Sequence, residues 1–262
     1  MIDSTITRLA IFLGLLALFA ALEAIAPRRV RSLPRAGRWF TNLAMTVLNT
    51  LALRLVAIAA PLLAVGAAVD AGVNGWGLLN HLHWPLAVEM VLAILFLDFA
   101  IWFQHLITHK VPLFWRFHRV HHADRDFDVT TAVRFHPVEI AASMGVKIAL
   151  IYLLGPQAIA VLVFEILLNG TALFNHANLR LPLWLDRSLR WVLVTPDMHR
   201  VHHSVIRAEH DSNYGFALSV WDRIFRTYRA QPAGGHDAMV VGLEWQDEKP
   251  AKLGWSLWLP FR

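Results

Sequence analysis

Nine of the fourteen histidines gather at four places in the chain: His105 with His109, His118 with His121 and His122, His176 by itself, and His199 with His202 and His203. The pentapeptide His-Arg-Val-His-His is spelled twice, at 118–122 and at 199–203. Residues three and four apart share one face of a helix. His105 and His109 can therefore aim at one point, as can His118 with His121 or His122. Adjacent His121 and His122 differ by about 100° around a helix axis, so one such pair can serve two neighbouring metals. An HxxHH element suits a two-metal centre, and two of them with an HxxxH suit it better. Ligation by imidazole alone is open to zinc, copper, iron or nickel, so the residue types leave the metal undecided. Soluble di-iron bundles add Glu and Glu-x-x-His ligands, and no carboxylate stands inside these clusters. Haem ligation would ask for well-separated single histidines on facing helices. The isolated His81, His83, His210 and His236 read as hydrogen-bonded core residues.

The elements that position these clusters belong in a membrane. The chain is 56% hydrophobic and 16% charged, against about 45–50% apolar and about 25% charged in a soluble domain. With no cysteine, disulfides, thiolate metal sites, iron–sulfur clusters and cysteine nucleophiles are excluded together. The net charge of +5 carries no nucleic-acid reading here, because in a membrane chain the placement of the cations matters more. Five apolar stretches stand out: Ala10–Ala26, Leu43–Val69, Leu86–Phe103, Val138–Leu154 and Pro156–Leu168. Spanning takes roughly 20 apolar residues. The second and third are comfortable spans, and the first is near the lower limit. The last two, joined by Gly155-Pro156, form a hairpin that spans incompletely. Asp3 and Pro27 argue against a cleaved leader ending at Ala24-Ile25-Ala26, so the first stretch is a retained anchor.

Arg28, Arg29, Arg31, Arg35 and Arg38, with no acid among them, place the Pro27–Phe40 loop in the cytoplasm. Alternation then puts the N-terminus and Gly66–Pro85 outside and brings both HRVHH copies to the cytoplasmic side. The fold class is all-α, a multi-pass helical membrane protein with a cytoplasmic helical cap carrying the histidine clusters. Residues 1–85 supply membrane helices and a basic loop, 86–228 the catalytic domain, and 229–262 a tail packed on the cap.

The segments DFAIWFQHLITH (98–109), WRFHRVHHAD (115–124), RFHPVE (134–139), NHAN (175–178), TPDMHRVHHS (195–204) and NYGFALSVWDRIFRTY (213–228) resemble the sterol desaturase / fatty acid hydroxylase superfamily in order and spacing. In that family the histidine boxes bind two iron ions that activate oxygen to hydroxylate or desaturate lipids. The resemblance implies His105, His109, His118, His121, His122, His199, His202 and His203 as ligands, with His176 as a further one. Some relatives carry another histidine four residues after the last. Here that position is Arg180, which implies an open or water-filled position on one metal, with Asn175 or Asn178 as water partners. His136 is expected near the site without being a ligand, or else as a helix-start residue fixed by Pro137.

Asp98 shares the face of His105 and His109 but lies about 10.5 Å farther along the axis. It is expected to support the ligands or line a substrate channel. Asp124, Asp126, Asp128, Asp197 and Asp222 are unranked candidates for orienting imidazoles. Arg54, Lys147, Glu89 and Glu165, inside apolar stretches, pair within the bundle, snorkel, or meet a lipid headgroup. The resemblance implies a lipid substrate from the bilayer and oxygen. With no GxGxxG fingerprint and no room for a haem domain, electrons are expected from a separate donor protein. It would dock on a basic surface that includes Arg187, Arg190, Arg200, Arg207, Arg223 and Arg226, although anionic lipid explains that surface equally well. Two other readings stand beside this one: a zinc hydrolase or lyase using the same cage, zinc being able to replace iron there, and a metal transporter.

Overall fold

A computed structural model describes residues 4–59 and 63–262. In chain order its first seven α-helices are α1 (Ser4–Ile25), α2 (Arg35–Ala59), α3 (Ala64–Asn74), α4 (Leu86–Lys110), α5 (Pro112–His122), α6 (Pro137–Leu154) and α7 (Ala158–His176). Short helices follow in the C-terminal third: α8 (Leu183–Leu189), α9 (Pro196–His202), α10 (Arg207–His210), α11 (Val220–Ile224), α12 (Gly235–Ala238) and α13 (Leu253–Trp258). The described residues hold no β-sheet, only three isolated bridges. Five helices, α1, α2, α4, α6 and α7, are long and apolar enough to cross a membrane. The protein is an integral membrane protein of all-α class.

Three boundaries differ from expectation. Leu43–Val69 is not one span, because α2 ends at Ala59 and a separate α3 begins at Ala64. The sequence places Pro61 between them, a residue that cannot donate to a continuing helix; residues 60–62 lie outside the described residues. The Pro27–Phe40 segment is loop only in its first part, since Arg35 opens α2. The α6–α7 hairpin is longer than its apolar run, at 18 and 19 residues. At 1.5 Å per residue each arm measures about 27–29 Å, close to the roughly 30 Å hydrocarbon thickness. Both arms are long enough to cross.

The five long helices share one property that fixes the site: each has one end at the histidines. Helices α4 and α7 finish on His105/His109 and His176. Helix α6 starts at His136–Pro137, and its first turn meets the 118–122 cluster where Glu139 accepts from His118 Nδ1 at 2.6 Å. The exit of α1 is bound to the exit of α7, with Arg28 N–H on the Asn178 carbonyl at 2.9 Å. At the opposite end, the turn after α3 meets the α6–α7 turn. A Cβ on Gly77 (φ +92°) would lie 2.3 Å from the Gly155 nitrogen, so only glycine allows this approach.

The cap is held to the bundle by the arginines of the α1–α2 connection. Arg38, buried, sends Nε to Asp124 at 2.7 Å and Nη1 to Asp128 at 2.8 Å. Arg31 and Arg35 face Glu23, and Arg28 pairs with Asp197 and Asp237. Arg29 donates to the Met239 carbonyl at 2.7 Å. The basic run, read from the sequence as a cytoplasmic loop signal, therefore spends much of its charge on acids inside the protein. Within the membrane, Lys147 pairs with Glu165 at 3.1 Å and Glu89 accepts the Gln157 N–H at 3.3 Å.

Candidate metal centre

Helix geometry brings the histidines to one end of the bundle. Helix α4 runs past its apolar stretch into its last turns, which carry His105 and His109. Val111 leaves helical geometry and Pro112 starts α5, whose last turns carry His118, His121 and His122. Thr195 caps α9, accepting the Met198 N–H, and Pro196 occupies its first turn; this helix presents His199 and His202, with His203 just after it.

All nine histidines meet, in two adjoining groups. His105, His109, His118, His122 and His202 form one, and His121, His176, His199 and His203 the other, with ligand atoms in each group within 4.8 Å of one another. Each HRVHH copy is divided in the same manner. Its first and last histidines, four apart, enter one group while the fourth residue crosses to the other: 118 and 122 against 121, and 199 and 203 against 202. The pentapeptide occurs twice because each group is completed by one imidazole from the other copy. The groups touch where the His122 and His203 rings stack at 4.4 Å.

The hydrogen bonds decide which nitrogens are free. Nδ1 of His105 donates to the Tyr214 carbonyl at 2.7 Å, that of His176 to the Ala172 carbonyl at 2.8 Å, and that of His202 to the Ser212 carbonyl at 2.7 Å. A carbonyl cannot donate, so in each ring the proton sits on Nδ1 and the lone pair on Nε2. His118 Nδ1 donates to Glu139 Oε1 at 2.6 Å, with the same result. The Nε2 atoms of His105 and His118 are then 3.0 Å apart with lone pairs facing. That contact is not a hydrogen bond between neutral rings. It is the separation of two nitrogens set at right angles around one ion, about 3.0 Å for metal–nitrogen bonds of about 2.1 Å. In the second group, His176 Nε2 lies 3.1 Å from His121 Nε2 and 3.2 Å from His199 Nε2. Among the described residues, His109, His122 and His203 have neither ring nitrogen hydrogen-bonded, although all three are buried. Such orphaned buried groups are costly unless something binds them. Burial, reinforced by neighbouring imidazoles, also holds His121, His122, His199, His202 and His203 well below the ordinary histidine range. They stay neutral, which is the form that ligates a metal. The residues fit a pair of metal ions.

The supporting residues named from the sequence are placed differently from one another. Asp98 Oδ2 accepts from Trp221 Nε1 at 2.7 Å and so ties α4 to α11, about 10.5 Å along α4 from His105. His136 Nδ1 accepts the Val138 N–H at 3.2 Å and caps α6, with Nε2 toward the Leu257 carbonyl. Asn175 donates to the Phe216 carbonyl at 2.7 Å. Asn178 spends its amide on the Arg29 backbone in both directions. Of the five unranked aspartates, Asp222 acts indirectly: it accepts the Tyr214 and Gly215 N–H groups at 2.9 Å and fixes the carbonyl that orients His105. Asp124 and Asp128 hold Arg38, Asp126 accepts the Ser32 N–H, and Asp197 holds Arg28 and Arg200.

Sequence reasoning missed Glu139, although it stands in the quoted RFHPVE segment, and the Ala172, Ser212 and Tyr214 carbonyls, which no side-chain pattern signals. It also missed Arg134, fully buried, which joins the Val120 carbonyl of the first HRVHH to Asn42, Pro250 and Ser256. Three further assignments need correction. His81 and His83 are exposed because the turn after α3 offers them no core. His236 is buried with neither ring nitrogen hydrogen-bonded among the described residues, whereas His210 is half-buried and donates Nδ1 to the Ser204 carbonyl at 3.3 Å, as expected. Arg190 and Arg200 are buried rather than part of a surface, paired with Asp186 and Asp197. Burial lowers the Arg200 pKa to about 10.

A model of the fatty acid hydroxylase family matches residues 90–227, which span both histidine groups. The chain belongs to the fatty acid hydroxylase family. The match covers all but the last residue of the stretch, 98–228, on which the resemblance rested. Among curated proteins, an ornithine lipid hydroxylase of Rhizobium tropici is 27% identical over 230 residues, 85% of this chain and 67% of that protein. The human alkylglycerol monooxygenase is 32% identical over 63% of this chain and 35% of its own length. A cholesterol 25-hydroxylase-like protein of Danio rerio is 29% identical over 55% of each. The chain thus spans about two thirds of the first of these relatives and about a third of the second. No solved structure matches. The family is one of oxidoreductases that act on lipids, and the membrane helices and buried histidine clusters of this chain accord with it.

Proposed function

We propose that this protein hydroxylates or desaturates a membrane lipid with oxygen, using two metal ions, iron in the native protein, held by the nine histidines. The observation that carries this is the pair of His105 and His118 lone pairs facing each other at 3.0 Å. Bound there, the metal pair supplies oxygen activation and oxidation of a C–H bond. The chain does the rest. Glu139 and the Tyr214, Ala172 and Ser212 carbonyls fix four imidazoles and raise their basicity. Phe135, Phe127 and Phe216 pack on the groups and exclude water: the Phe135 ring stacks on His121 at 4.3 Å, Phe127 on His176 at 5.3 Å, and Phe216 lies 5.0 Å from His105. A cavity of about 310 Å³ between α1, α2, α4, α6 and α7 reaches His105 and His118 from the membrane side. A second hollow of about 240 Å³, lined by Trp115, Arg119, Arg207, His210 and Trp245, reaches His109 from the cap side. The first suits entry of a lipid, the second approach of a separate electron donor. The relatives' names carry ornithine lipids, alkylglycerols and sterol-type substrates, and a lipid of this general kind is proposed here.

Elemental analysis of protein purified without chelators should give near two transition-metal ions per chain, iron foremost. Zinc found in their place would reflect substitution in an imidazole cage. A content near zero would sink the two-metal reading.

We place the histidine end on the cytoplasmic face. Residues 63–85 and the Gly155 turn, at the opposite end, contain no Lys or Arg, whereas Arg116, Arg180, Arg187, Arg207 and Arg226 are exposed at the histidine end. With no native cysteine, Asn74→Cys and Glu248→Cys, both at exposed positions, test this in intact cells. An impermeant thiol reagent should label position 74 and leave 248 untouched until the cells are opened. The reverse pattern would invert the topology.

A further inference from the structure

The cavity that reaches His105 and His118 is not uniformly apolar. Among the membrane helices it is lined by Lys147 and Glu165, both largely shielded, and by the partly exposed Arg8, with Asn49, Asn169 and Ser143 beside them. Glu165, buried, takes Lys147 Nζ at 3.1 Å on one oxygen and Arg8 Nη2 at 2.9 Å on the other. One lysine would neutralise one carboxylate. Arg8 is a second cation on the same single acid, so the cluster carries one positive charge beyond what pairing needs. Lys147 has three N–H donors, and one is given to Glu165. Ionisable groups inside a bilayer are expensive and are retained where they bind something. At the other end of the same cavity Glu139 holds His118. Glu139 and Lys147 stand eight residues apart on α6, roughly 12 Å along the axis.

We propose that Arg8 and Lys147 form a subsite for an anionic oxygen group, a carboxylate or phosphate, on a lipid chain lying in this cavity. Glu165 positions both cations. The subsite anchors the chain at a fixed distance from the histidine end and selects which carbon is presented there. The oxidative consequence rests on the function proposed above, but the binding does not.

The test is equilibrium binding of dodecanoate, dodecyl phosphate, dodecanol and dodecylamine to the purified full-length protein in neutral detergent under argon, where no turnover occurs. At least one of the two anions should bind about tenfold or more tighter than the alcohol, the scale of a charge-assisted hydrogen bond, and the amine should bind weakest. Which anion binds tighter distinguishes a free carboxylate from a lipid phosphate. Lys147→Gln should reduce the anion to the affinity of the alcohol, and Lys147→Arg should retain the preference. Glu165→Gln, by removing the competing carboxylate, should increase it, an effect that loss of structure would not produce. Equal binding of alcohol and both anions, or a preference that survives Lys147→Gln, would overturn the subsite. Turnover failing while this selectivity holds would count against the oxidase reading alone.

Discussion

Replacing His121 or His202 with alanine is expected to abolish lipid oxidation, by more than about 100-fold, while the protein still inserts in the membrane. The two histidines are the crossing members of their pentapeptides: His121 belongs to the group of four, His202 to the group of five. Changes in residues that merely support metal ligands already cost 10–100-fold, so loss of a ligand should exceed that. The metal contents should differ. His121→Ala leaves three imidazoles in the smaller group and should bring the content toward one ion per chain. His202→Ala leaves four in the larger group and should retain more metal while still losing turnover. His83→Ala, at an exposed position far from both groups, is the control and should be nearly silent. His236 is outside every motif too, but it is a poorer control. It is buried, with Nε2 3.6 Å from Asp197, and burial lowers its pKa to about 4. Equal losses in all three alanine variants, measured as turnover and metal per chain, would show that the clusters have no special part.

Arg38→Met should destabilise the protein by about 3–5 kcal/mol, the cost of removing one partner from a buried ion pair. Asp124 and Asp128 are both buried and both face that guanidinium, which also donates to the Asp126 carbonyl. The loss would be large against the 5–15 kcal/mol that holds an ordinary fold. Asp124 follows the first HRVHH by two residues, so releasing it frees the end of α5 and the three histidines it carries. The expected readouts are a lower Tm in detergent and a lower metal content together. Arg38→Lys should recover only part, since a lysine cannot reproduce the forked contacts. A companion variant with Arg38→Met, Asp124→Asn and Asp128→Asn should be more stable than Arg38→Met alone, because the uncompensated charges are gone. An unchanged Tm in Arg38→Met would remove the clamp from the account of this fold.

The sequence by itself determined the solvent, the helical class and the nine histidines, because these follow from composition and from spacing along one helix. A separation of three or four residues sets a shared face wherever the helix lies, and about 100° per residue separates His121 from His122. The family was legible for the same reason: its signature is spacing. What spacing could not give is which histidines share a group. The crossing of His121 and His202 into opposite groups depends on how α5, α9, α4 and α7 face one another. The orienting partners were hidden for a different reason. Tyr214 reaches His105 across 109 positions, and its carbonyl is one of many identical carbonyls. Glu139 is 21 positions from His118 and looks like an ordinary acid in the first turn of a helix. The arginines of the α1–α2 connection read only as a signal of loop orientation until the fold brought Asp124, Asp128, Asp197 and Glu23 against them. A charge in a sequence has a sign but no partner; only the packing of distant segments decides whether it faces water, lipid or a buried opposite charge.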